Sequence, residues 1–366
     1  MKLAFYRDCE PHLDRRQFLK LVLVAGALPA PVPTLFGDEE PNAGVRHLIE
    51  RYATIPDDPW ILVHEIRAFG TGFSVKGERA AAYVLRTFVN DLEVNGRRYL
   101  YIPADIEVHT NMFLKTFLEA GVPLSEEVQV KGMIFHLQDL GEGAKALFRF
   151  DPNTFDRNDL AWSLIAFAEL QADEWENAYG QRIRLKEVAA FGLKVLQDAT
   201  EELKPYCQAS LPLPKKMPIH SFTCGGTHLI YSLFVAARHG LLEAHGRDSL
   251  QEQLQMLLYR LQADPDLIDR YYHRLAQVPE VEMFRASAKL KLLGHALECL
   301  GYAQANGFLR PTQRERERIG KAAQEVRGLS AYVGGLDLEA VRQREARLYR
   351  QIIGDTCHAF RGLRLI

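Results

Sequence analysis

The sequence predicts an all-α fold, and three observations carry that expectation. Apolar residues recur near a 3.6-residue period in segment after segment, glycine and proline clusters separate the segments, and only two short stretches read as strands. Segments 44–55 and 59–69 come first and stop at Gly70-Thr71-Gly72. A helix at 78–90 follows, then the turn Asn95-Gly96 and a strand at 98–102. Helices at 106–120 and 125–140 flank Gly121-Val122-Pro123. A second strand, 146–150, runs into Asp151-Pro152-Asn153, after which 160–170 and 185–203 are helical. The proline group from Pro205 to Pro218 interrupts the pattern before helices at 227–242 and 250–261. Asp264-Pro265-Asp266 reads as the cap and first turn of another helix through His273. The remaining helices are 286–305, 312–332 and 336–353, with Asn306-Gly307 between the first two.

Composition bounds the function. With 47% hydrophobic and 25% charged residues, the chain has the balance of a globular protein with a sizeable core, and residues 38–366 are expected to form a single all-α domain. A formal charge of -2 supplies no long-range attraction to nucleic acid or anionic lipid, so neither is an expected partner. Five cysteines, at 9, 207, 224, 299 and 357, are too few for a stapled scaffold, and Cys299 inside an apolar helical run reads as a buried free thiol. There is no phosphate-binding glycine loop, Gly-x-Ser-x-Gly elbow or Cys-x-x-Cys-His haem attachment site.

Near the N-terminus Arg15 and Arg16 precede Gln17, Phe18, Leu19 and Lys20, and the apolar run 21–28 follows. This resembles the signal peptide of the twin-arginine export pathway, with Asp14 where that pattern has Ser or Thr. The resemblance implies the export machinery as a partner, a leader over residues 1–37, and a periplasmic or extracellular destination. A spanning helix needs about 20 apolar residues, so a cleaved leader is expected rather than a permanent membrane span. The pathway commonly carries proteins already folded around a cofactor, which makes a metal worth seeking.

Four helices share a format: 61–70, 160–168, 228–237 and 293–301 are apolar on nearly all sides, and each is followed by a more amphipathic helix. Alternating buried and surface helices suit a ring of helical hairpins. The format resembles the α/α toroid, shared by glycan-processing enzymes, terpenoid cyclases, protein prenyltransferases and lanthionine cyclases; an irregular bundle or an α-solenoid is the alternative.

The stretch Pro218-Ile-His-Ser-Phe-Thr-Cys-Gly-Gly-Thr-His-Leu229 carries the candidate chemistry. His220, Cys224 and His228 are spaced by four, and the two glycines place 224–226 in a tight turn with Thr227 as N-cap of the helix that follows. A thiol at a helix N-terminus is disposed toward thiolate, hence toward metal ligation or nucleophilic attack. Cys224, His228, His220 and His64 are the expected metal ligands, with zinc as the cofactor, and His109, His228 and His295 the expected catalytic residues. A space-filling turn is the alternative for Cys224 and His228, and a satisfied core group the alternative for each of the other histidines. Cys224-Gly-Gly-Thr-His228 departs from the adjacent Cys-His-Gly of the lanthionine cyclases, so their activity is not carried over. The expected function is metal-assisted hydrolysis or a lyase reaction in a central cavity. The alternative is a non-catalytic binding or accessory protein for an envelope glycan, a small molecule, a peptide or a protein partner.

Overall fold

Helices follow one another through the computed structural model, which describes residues 42–275 and 280–366, and the all-α class holds. The residues read as an export signal, including Arg15, Arg16, Phe18, Leu19 and Lys20, lie outside the described residues. Strands occur, among the described residues, as four separate antiparallel pairs. No helix among them is long and apolar enough to cross a membrane.

In chain order the elements are α1 (Ala43–Tyr52), α2 (Pro59–Phe69), β1 (Ser74–Val75), β2 (Glu78–Arg79), α3 (Ala80–Phe88), β3 (Asn90–Val94), β4 (Arg97–Tyr101), α4 (Met112–Glu119), β5 (Glu127–Val130) and β6 (Met133–His136). Next come α5 (Leu137–Leu147), α6 (Leu160–Glu169), β7 (Glu174–Glu176), β8 (Arg182–Arg184), α7 (Leu185–Thr200) and α8 (Lys204–Ala209). The last are α9 (Thr227–Arg238), α10 (Ala244–His273), α11 (Val281–Ala305), α12 (Gln313–Gly334), α13 (Leu338–Arg344) and α14 (Ala346–Leu365). They divide into two compact units: Ala53–Asp198 with His228–Gln251, and the described part of residues 1–52 with Ala199–Thr227 and Glu252–Ile366.

All four hairpins belong to the first of these units. Three of them turn on two residues, Lys76-Gly77, Asn95-Gly96 and Lys131-Gly132, and in each both residues have positive φ. That is the turn whose twist matches the strands it joins. The third hairpin overturns the helix expected at 125–140. Val128 and Val130 alternate with exposed Glu127 and Gln129, a two-residue period, and helix begins only at Leu137. The strand expected at 146–150 is also absent: Ala146 and Leu147 end α5, and the extended residues beyond them pair with side-chain amides. Asn177 Nδ2 donates to the Phe148 carbonyl at 2.7 Å, while Gln181 accepts from the Phe150 amide at 3.1 Å and donates back to its carbonyl. Buried backbone groups need partners, and here two amide side chains replace a ladder.

The second unit is helical, and glycine sets its closest contact. A side-chain carbon at Gly294 would lie 3.1 Å from Ala359 backbone atoms, and one at Gly362 only 2.7 Å from the Glu298 amide nitrogen. Gly301 meets Leu365 in the same way, so residue numbers rise together and α11 and α14 run parallel. Four corrections belong to this unit. Asp264 is buried within α10 and caps nothing, because the helix runs unbroken from Ala244 to His273 with Pro265 inside it. Helices 250–261 and 264–273 are therefore one. The helix expected at 336–353 is two, parted at Glu345, whose backbone leaves the helical region (φ -145, ψ 72). Its second half continues to Leu365 rather than stopping at Ile353, since Ile352, Cys357, Phe360 and Leu363 keep a buried face.

The glycine contact predicts opposite signs for two similar substitutions. Gly362→Ala drives a methyl into backbone and is expected to cost about 1–3 kcal/mol. Gly320→Ala, at an exposed position of α12 with nothing within 4 Å, gains up to about 1 kcal/mol from helix propensity. Urea denaturation of both variants is the check, and a Gly362→Ala protein as stable as wild type rules out the close pairing.

Candidate metal centre

The segment between α8 and α9 is shaped by two short 3-10 turns, Pro218–Ser221 and Thr223–Gly226. Cys224 (φ 50, ψ 35), Gly225 (φ 63, ψ 33) and Gly226 (φ 75) are three successive left-handed residues. For a residue with a Cβ this conformation costs about 1–2 kcal/mol, so surrounding contacts must hold it. Several do. The Thr227 hydroxyl donates to the Cys224 carbonyl at 2.8 Å, the Gly225 amide donates to Phe222 O at 2.9 Å, and the Ile219 side chain fills the space over Gly226. Thr227 was expected to cap α9, but its φ and ψ are helical and its hydroxyl acts as a donor, so it is the first residue of the helix itself.

His220 anchors this segment. Its Nδ1 accepts from the Met217 amide at 2.8 Å, which puts the ring proton on Nε2, and Nε2 donates to Asp264 Oδ1 at 2.9 Å. Arg260 approaches the other carboxylate oxygen, also at 2.9 Å. Burial by itself raises the Asp264 carboxyl, but the adjacent Arg260 and His220 outweigh it and hold the group below the usual carboxylate range. With both ring nitrogens engaged His220 has no lone pair for a metal, so it is an anchor of the turn rather than a ligand.

His295 stands on α11, 3% exposed. Its Nδ1 lies 2.7 Å from the Lys291 carbonyl. A carbonyl only accepts, so Nδ1 carries the hydrogen and Nε2 presents the lone pair, the arrangement found in metal-binding histidines. The His295 ring stacks on His358 of α14, with centroids 3.9 Å apart. His358 Nδ1 donates to Glu298 Oε2 at 2.6 Å, and Arg361 Nε lies 3.1 Å from the other Glu298 oxygen. Asp355 lies 3.8 Å from His295 Nδ1; burial pushes its carboxyl up to about 7, against the pull of the Lys291 ammonium.

Cys224, His228 and His295 come together. Each offers one ligand atom, and the three atoms lie within 4.8 Å of one another. All three are buried, with His228 8% exposed. Sulfur and imidazole ligands at Zn–S ~2.3 Å and Zn–N ~2.0–2.1 Å in a tetrahedron sit roughly 3.5 Å apart, within reach of small side-chain adjustments. One thiol and two imidazoles can therefore hold a metal ion.

The remaining expected residues have other company. His109 Nδ1 lies 2.9 Å from Asp159 Oδ1, and its ring stacks on Trp162 at 3.8 Å and 8°. Trp162 also lies against His228, with ring centroids 4.9 Å apart, so the indole stands between His109 and that candidate ligand. Nearby Glu107 accepts the amides of Asn111 and Phe113, yet burial still lifts its carboxyl to about 7. His64 donates from Nδ1 to the Trp60 carbonyl at 2.7 Å and lies against that indole; it does not belong to the cluster. His358, Asp355 and Asp159 escaped the sequence reading. The first two were lost with the helix end beyond Ile353, where the apolar period in fact continues, and Asp159 stands 50 positions from His109, beyond any local pattern.

The four cysteines among the described residues are free thiols. Burial, followed by the Glu298 charge, raises Cys299 well above an ordinary thiol, which suits a packing role. Comparison with protein-family models, curated proteins and solved structures finds no match.

The His220–Asp264–Arg260 chain yields a stability prediction. Asp264→Ala leaves Arg260 buried without its carboxylate and is expected to cost about 3–5 kcal/mol. Chemical denaturation of the metal-free protein measures it, and a loss under about 1 kcal/mol excludes the anchoring role.

Proposed function

We propose that this chain is an exported zinc-dependent hydrolase or lyase whose metal is held by Cys224, His228 and His295. The observation that carries the reading is the convergence of Cys224 and His228, four residues apart, with the distant His295: one thiol and two imidazoles, the ligand types zinc prefers. Three protein ligands leave a fourth position open, as in catalytic rather than structural zinc sites. Bound there, zinc would supply a Lewis acid that polarises a substrate oxygen or lowers the pKa of water.

The chain's own residues prepare that chemistry. The Lys291 carbonyl fixes the His295 tautomer, and the strained turn presents the Cys224 sulfur from a preset backbone. His109 is the proton-transfer group of this reading: Asp159 on Nδ1 orients the ring and stabilises an imidazolium. The twin-arginine pattern at Arg15 and Arg16 supports export, and a cofactor inserted before export agrees with a buried metal centre.

Metal analysis of protein purified without chelators tests the centre. About one zinc per chain is expected for wild type, and far less for Cys224→Ala and His228→Ala. A metal-free wild type, or metal retained equally by both variants, overturns the proposal; the accessory-protein alternative calls for no metal. Export has its own test. The double substitution Arg15→Lys, Arg16→Lys is expected to strand the protein in the cytoplasm, and unchanged export removes that part of the reading.

A further inference from the structure

We propose that the His358–Glu298 pair is a positioning device for the metal centre, acting through His295 without binding the ion. The inference rests on the reading that Cys224, His228 and His295 hold a metal. His358 is a buried histidine stacked on one of those ligands, so the first question is whether it is a fourth ligand. The geometry argues against it. A metal bonds imidazole nitrogen in the plane of the ring, and the two rings lie face to face, 3.9 Å between centroids and 29° between planes. An ion in the plane of His295 is therefore well out of the plane of His358. Two stacked imidazoles do not share one ion.

What the stack does instead is fix the His295 ring. The bond from Nδ1 to the Lys291 carbonyl sets the tautomer and leaves rotation about that bond to be restrained. His358 covers one face of the ring and removes that freedom. His358 is itself immobile: Nδ1 donates to Glu298 Oε2 at 2.6 Å, Arg361 pairs with the same carboxylate, and the side chains of His358 and Glu298 are 4% and 3% exposed. Glu298 is three residues from His295 on α11, and His358 and Arg361 have the same spacing on α14. The close approach at Gly294 and Gly362 brings the two pairs to one level. Outer groups that orient a ligand typically govern metal affinity by 10–100-fold.

Cobalt(II) titration of metal-free protein, followed by the sulfur-to-cobalt charge-transfer absorption, reads this directly. His358→Ala removes the flat ring and is expected to weaken cobalt binding roughly 10–100-fold. The double variant Glu298→Gln, His358→Phe restores a flat ring that cannot ligate and avoids a buried carboxylate that has lost its His358 hydrogen bond. Its affinity is expected within about 3-fold of wild type, with the same spectrum. If the double variant binds as poorly as His358→Ala, the imidazole itself is needed and the positioning role is overturned; unchanged affinity in His358→Ala overturns it equally. Far-UV circular dichroism checks that His358→Ala folds. If it does not, the double variant decides alone, since retained affinity without an imidazole supports the role and lost affinity refutes it. Wild type that takes up no cobalt refutes the metal reading itself, a result distinct from either failure of the positioning role.

Discussion

The contact on which the candidate metal centre depends most is the close parallel packing of α11 and α14. Helices carrying ordinary side chains pack 8–10 Å apart, and glycine at the crossing lets them come nearer. At Gly294, Gly301 and Gly362 a single added carbon would collide with the opposite helix. This approach sets the axial register and places His295 and Glu298 level with Asp355, His358 and Arg361. Without it those groups would be five ionisable side chains on two helices. With it they form a largely buried layer in which His358 and Arg361 hold Glu298 and the His295 ring stacks on His358.

A second constraint acts on the sulfur. Cys224 occupies left-handed backbone, which an unsupported loop would relax. His220, Asp264 and Arg260 form a buried chain tying the segment to α10, at a point where Pro265 would ordinarily end a helix. The cost of a proline in helix, about 3 kcal/mol, is borne where buried Leu261, Ala263, Leu267 and Ile268 hold the helix on both sides of Pro265. Strain in the turn and a carboxylate kept ionised behind it serve one end, a thiol at a defined position. This is the pattern expected when backbone strain is retained for function.

Local residues made much of this legible. The apolar residues on nearly all sides of 61–70, 160–168, 228–237 and 293–301 marked buried helical segments, and these parts of α2, α6, α9 and α11 are buried almost throughout. Cys224-Gly-Gly-Thr-His228 was readable as a tight turn because paired glycines before an apolar run have few other uses. Lys131-Gly132 between alternating residues was equally readable as a hairpin, but the apolar positions at 125–140 also satisfy a helical period, and two periods compete in so short a run. His220 and His295 looked alike as histidines. What separates a ligand from an anchor is which nitrogen keeps its lone pair, and that is decided by the acceptor or donor that tertiary packing brings to the other nitrogen.

By itself, then, the sequence determined the helical class, the burial of particular helices, the tight turn at 224–226 and two candidate ligands four residues apart. These follow from periodicity, backbone freedom and side-chain chemistry, all of which act over a few residues. The choice of His295 over His64 and His220, and the layer of Glu298, Asp355 and His358 beside it, were decided only in the tertiary structure. Cys224 and His295 are separated by 71 positions, the difference of their residue numbers. No local pattern encodes the glycine-to-backbone contacts and hydrogen-bond partners that orient such distant groups.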